Sequence, residues 1–152
     1  MACGSGRNSI YLALKGFEVD AVDISDIALK VLKNKNIQNI YPKLIDLDNY
    51  IPKKESYNLI VMCNFLQRDL IPRLADALKD EGIMIIETYM YHESNTKPNS
   101  NPAFLLQKDE LKSFFNNSFE ILQYDEFDNE SYEMYKMKKQ SIVIKKSSTK
   151  YS

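Results

Sequence analysis

At 152 residues, 44% of them hydrophobic and 27% charged, the chain has the size and balance of one folded domain rather than of a disordered segment. Its 20 basic residues are matched by 21 acidic ones, so no basic field points to nucleic acid or to an anionic membrane, and no nucleic-acid partner is expected. Two cysteines make no disulfide framework, no Cys/His cluster has zinc-ligand spacing, and no apolar run approaches the roughly 20 residues of a membrane helix. With no signal-peptide pattern either, the expectation is a reduced, cytoplasmic protein with no metal and no membrane association.

The chain opens on a glycine-rich turn, Gly4-Ser5-Gly6, that runs straight into a helix. In that helix Ile10, Ala13, Leu14 and Phe17 recur at helical spacing, and Gly16 closes it. Residues 17–22 alternate apolar and acidic as a strand ending on Asp23. Ser25 or Asp26 caps a second helix with Ile27, Ala28, Val31 and Leu32 as its apolar face. A strand over 39–45 stops at Asp46 and carries Pro42, which marks an edge. The continuously apolar run within 57–63 predicts a strand covered on both faces.

A helix over 69–79 follows, with Leu70, Leu74, Ala77 and Leu78 on one face and Pro72 in its first turn. Gly82 then leads into a second buried strand over 83–88. Residues 89–107 read as a long polar loop, expected to be mobile and to close over a substrate. A short helix over 108–115 precedes two strand-like runs, 119–124 and 140–145, which flank Asp128, Asn129 and Glu130 and are expected to pair antiparallel. Residues 147–152 read as a flexible tail after a domain spanning 1–146.

Strands alternating with helices and closed by a hairpin predict an α/β, mostly parallel sheet. Such sheets bind ligands beyond the carboxyl ends of their strands, which directs attention to Asp23, Asp46, 63–66 and 87–89. Glycines in the first turn allow positive φ and close backbone approach, and the helix that follows offers free N–H donors. A Gly-x-Gly turn also serves purely structural helix ends. Asp23, 19 residues after Gly4 and at the end of the next strand, is placed to accept hydrogen bonds from a ribose diol; helix capping is the alternative. Ser9 occupies the position of the third glycine in a dinucleotide fingerprint, which disfavours a nicotinamide-dependent oxidoreductase, as does the terminal hairpin.

The glycine turn, Asp23, Asp46-Leu47, the strand end Asn64-Phe65-Leu66 and the final hairpin together resemble class I S-adenosylmethionine-dependent methyltransferases. Residues 63–70 and 86–89 look like the small bacterial tellurite-resistance-type branch. The resemblance implies a Rossmann-like fold, S-adenosylmethionine as cofactor and a small-molecule methyl acceptor, and leaves the oligomeric state open. It implies that Gly4, Ser5 and Gly6 carry the methionine moiety and that Asp23 takes the ribose hydroxyls with Ile24 beside it. It also places Asp46 and Leu47 at the adenine, and backbone at Cys63 or Asn64 at the amino group and sulfonium. Asn64, Arg68, Glu87, Tyr89 and His92 are the candidates for an acceptor pocket, and no single catalytic residue stands out. For Arg68 the alternative is a surface ion pair, for Glu87 a structural hydrogen bond, and for His92 a solvated loop position. In that family a strand and an acid precede the glycine turn, whereas here Met1 stands where that strand ends. The expectation is therefore a domain incomplete at its N-terminus, with a non-catalytic remnant or binding subunit as the alternative function.

Overall fold

The computed structural model describes residues 6–148, which divide into two compact units between Tyr50 and Ile51. In the first unit β1 (Val19–Asp23) and β2 (Ile40–Leu44) pair in parallel, from Val19 opposite Ile40 to Asp23 opposite Leu44. Parallel neighbours need a crossover, here α2 (Asp26–Asn34), whose first turn is capped by Ser25 Oγ accepting from the Ala28 N–H at 3.2 Å. Leu29 and Leu32 are the residues α2 buries, whereas Ile27 and Val31 of the expected face are exposed. Apolar residues at 27, 28, 29, 31 and 32 wrap more than one face, so periodicity identifies the helix without fixing its rotation.

The same correction applies to α1 (Arg7–Leu14), which buries Ser9 and Ala13 while Leu14 and Phe17 stay exposed. Gly6, its N-cap, has φ +91°, and a Cβ there would lie 2.3 Å from Leu32 Cδ1. Gly6, Ser9 and Ala13 fall on one helical face, and at Gly6 the missing Cβ lets the turn lie close against Leu32 of α2. Gly16 closes this segment at φ +95°, as its position requires.

The second unit is a four-stranded sheet in the order β3 (Tyr57–Cys63), β4 (Leu78–Tyr89), β6 (Lys138–Lys146), β5 (Phe119–Asp128). β3 and β4 run parallel, joined by α3 (Leu70–Ala77), and the last two strands form the expected antiparallel hairpin, longer than the sequence indicated. Ile60 and Met62 of β3 are buried, but Leu59 and Val61 on its other face are only partly covered. α3 ends two residues earlier than expected because Leu78 already has extended backbone and pairs with Tyr57. Surplus residues before Ile83 then fold back through Glu81 at φ +67°, and a Cβ on Gly82 would sit 2.7 Å from the Lys79 carbonyl oxygen. The short helix expected over 108–115 is a 3₁₀ turn, Glu110–Phe114, which buries Leu111. Met62, Leu70, Ile71, Met84, Ile86 and Ile142 build the core of this unit, and each fully buried side chain of this kind contributes about 1.5–3 kcal/mol. No helix among the described residues is long and apolar enough to cross a membrane.

Candidate functional site

In the first unit, Asp23 ends β1 and is only 8% exposed. Its Oδ1 accepts the Ser25 N–H at 3.0 Å, which fixes the carboxylate at the strand's carboxyl end and also links it to the α2 cap. Ile24 beside it is exposed. Asp46 closes a local turn, its Oδ1 accepting from the Asp48 N–H at 3.0 Å and its Oδ2 from Asn49 Nδ2 at 3.4 Å. Leu47 is buried, so Ile24 offers a ligand more apolar surface than Leu47 does. Gly4 and Ser5 lie outside the described residues.

In the second unit, three of the candidates meet around a residue that the motifs did not single out. Lys139 Nζ donates to Asn64 Oδ1 at 2.9 Å and to Glu87 Oε2 at 3.0 Å, and lies 5.1 Å from the centre of the Tyr89 ring. Asn64 follows β3 at φ +55°, its N–H donating to the Glu87 carbonyl at 2.8 Å. Cys63 is a half-buried thiol in no disulfide. Lys139 lies in the polar opening of its strand, Lys138-Lys139-Gln140-Ser141, and no local spacing marks it out.

Arg68 and His92 are engaged elsewhere. The Arg68 guanidinium makes a forked contact with Glu110, Nε to Oε2 at 2.5 Å and Nη2 to Oε1 at 3.1 Å. It also donates to the carbonyls of Ala103 (2.8 Å) and Leu105 (2.9 Å), clamping the loop after β4. His92 Nδ1 accepts the Ser94 N–H at 3.1 Å and lies 2.7 Å from Ser94 Oγ, which puts the ring proton on Nε2 and leaves that nitrogen a donor rather than a base.

The hydrogen bond from Arg68 holds the Glu110 carboxyl below its ordinary value, against a smaller opposing effect of burial, and Glu110 raises Arg68 in turn. A depressed carboxylate stabilises the fold fully above its unfolded pKa, and that contribution is lost as pH falls through the folded value. Glu110→Gln should therefore flatten the acid side of a melting-temperature profile taken from about pH 6 down to about pH 3. An acid limb as steep as that of the unsubstituted protein would exclude this pair as a contributor.

The 89–107 loop is more tightly held than its composition indicates. Met90 and Leu106 form a parallel bridge, Asn95 donates to the Met90 carbonyl at 2.9 Å and accepts the Lys138 N–H at 2.7 Å, and Thr96 pairs with Lys136. Leu105 and Leu106 are buried. Between this loop and residues 129–137 opens a cavity of about 530 Å³, lined by Tyr89, Phe104, Leu105, Tyr132, Tyr135, Met134 and Met137, with Lys97, Ser100, Asn101, Asn129 and Glu133 as its polar wall. Of the acceptor candidates only Tyr89 lines it. The aromatic and methionine residues of 132–137 were not recognised in the sequence, because a segment without periodicity gives no face to assign.

Comparison with known proteins agrees with this architecture. The family described as Tellurite resistance protein TehB matches residues 1–148. A curated Haemophilus influenzae protein named Probable S-adenosyl-L-methionine-dependent methyltransferase TehB is 31% identical over 137 residues, covering 83% of this chain and 46% of its own length. The crystal structure of TehB from Haemophilus influenzae superposes with a TM-score of 0.78 at 26% identity, over 96% of this chain and 56% of the other. A SAM-dependent methyltransferase from Methanosarcina mazei shares the fold, with a TM-score of 0.76 at 18% identity over 96% and 90% of the two chains. The fold is thus the expected Rossmann-like α/β fold, and the chain spans about half the length of the Haemophilus influenzae proteins it matches.

Proposed function

The chain belongs to the tellurite resistance protein TehB family, and from that premise we propose that it transfers a methyl group from S-adenosylmethionine to a small-molecule acceptor. The observation that carries the cofactor half is the carboxylate of Asp23, buried at the carboxyl end of β1 in the unit whose first helix opens on a left-handed Gly6. A fixed acid there suits vicinal ribose hydroxyls. Bound S-adenosylmethionine supplies an activated methyl on a sulfonium; the protein's part is to position it, exclude water and receive any proton the acceptor loses. Ile24 is the apolar neighbour on the ribose side, and Cys63 with Asn64 remain the backbone candidates for the amino group.

The acceptor half rests on the cavity beside Tyr89. Its volume of about 530 Å³ lies in the range of ordinary small-molecule pockets, and four aromatic rings with two methionines favour a flat, largely apolar molecule. Lys97 is the cation in the wall, while Glu133 is held by Asn129 Nδ2. Two measurements test the reading. Calorimetry should give S-adenosylhomocysteine binding in preference to NADH, and labelled S-adenosylmethionine should methylate planar aromatic acceptors but not DNA or RNA. Binding of NADH alone would reject the cofactor, and transfer only to macromolecules would reject the acceptor.

A further inference from the structure

We propose that Lys139 is a positioning residue of the methyl-transfer site, acting through Asn64 and Tyr89; this role rests on the function proposed above. Lys139 lies opposite Tyr89 in the pairing of β4 with β6, and its side chain is 9% exposed. An ammonium has three donors and no acceptor. Two of those donors meet Asn64 Oδ1 and Glu87 Oε2, and the charge also lies over the Tyr89 ring. Because the ammonium only donates, it fixes which way the Asn64 amide faces: oxygen toward Lys139, nitrogen left as a donor. The backbone of Asn64 is pinned independently by the Glu87 carbonyl at 2.8 Å. Lys139 thereby locks the end of β3, in the left-handed conformation at Asn64, to Tyr89 in the cavity wall. Stability alone is a weak reason to keep such a group, since a buried ion pair can often be replaced by apolar side chains at no net cost. Its geometric effect is specific: it orients a donor at a strand end where ligands of this fold bind.

The test is a double-mutant cycle on the full chain with S-adenosylhomocysteine as probe, comparing Lys139→Met, Asn64→Ala and the pair. Lys139→Met should weaken binding about tenfold, and the double variant should be no weaker than Asn64→Ala alone. In the ligand-free protein, the Asn64 side-chain amide pair in a ¹⁵N spectrum should shift and broaden in Lys139→Met. Lys139→Leu, which equally removes the donor, serves the same comparison if the methionine variant does not fold. Binding within twofold of the unsubstituted protein, or losses that simply multiply, would overturn the proposal while leaving the cofactor reading intact. Failure of the unsubstituted chain to bind the probe would instead remove the cofactor reading and this role with it.

Discussion

Asp23→Ala is expected to weaken S-adenosylmethionine binding by about 10- to 150-fold, the loss of charge-assisted hydrogen bonds from one carboxylate to two hydroxyls. The same oxygen set accepts the Ser25 N–H at 3.0 Å, so alanine also loosens the α2 cap and part of its effect is structural. Asp23→Asn separates the two. Its amide oxygen still accepts from Ser25, while the charge and one acceptor toward the ribose are gone. Calorimetry on both variants should place the asparagine between alanine and the unsubstituted protein, with melting close to the latter. If both variants bind as tightly as the unsubstituted protein, Asp23 is a helix-linking aspartate and the ribose is held elsewhere.

What the sequence disclosed follows the range of the forces involved. Gly6, Gly16 and Ser25 act on their own backbone neighbourhood, and each is found at the helix end its residue type requires. The closing hairpin was legible because two apolar runs flank a polar turn. Arg68 was ambiguous for the opposite reason: its partners Ala103, Leu105 and Glu110 lie some 40 residues along the chain, and local spacing carries no trace of them. The same holds for Lys139, whose contacts with Asn64 and Glu87 arise only from the register of β6 on β4. Rotation of the two first-unit helices was misjudged where apolar residues were too plentiful to mark one face. Small residues, Ser9 and Ala13, occupy the inward positions that larger ones were expected to hold.

Replacing Gln140 should cost more stability than any other single polar change described here. The side chain is 0% exposed on β6, in a strand whose neighbours Ile142 and Ile144 are equally buried. Its Oε1 accepts the Leu111 N–H at 2.9 Å, and its Nε2 donates to the Gln107 carbonyl at 2.9 Å and lies 3.8 Å from Met90 Sδ. One amide thus satisfies both backbone groups where the chain turns into the 3₁₀ segment, Glu110–Phe114, which also carries the Arg68–Glu110 clamp. Leucine fits the volume but leaves a buried N–H without a partner, and each orphaned group costs about 1–3 kcal/mol. The expected loss for Gln140→Leu is about 2–4 kcal/mol, a fall of roughly 5–15 °C in melting temperature for a chain of this size. Hydrogen exchange locates the effect: the Leu111 amide should lose protection before the β3–β4 core does. Gln140→Glu keeps the acceptor for Leu111 but buries a charge and loses the donor to Gln107, so it should be no better than leucine. A leucine variant that melts within about 1 °C of the unsubstituted protein, with Leu111 still protected, would show that water or a shifted loop satisfies these groups and that Gln140 is not the staple.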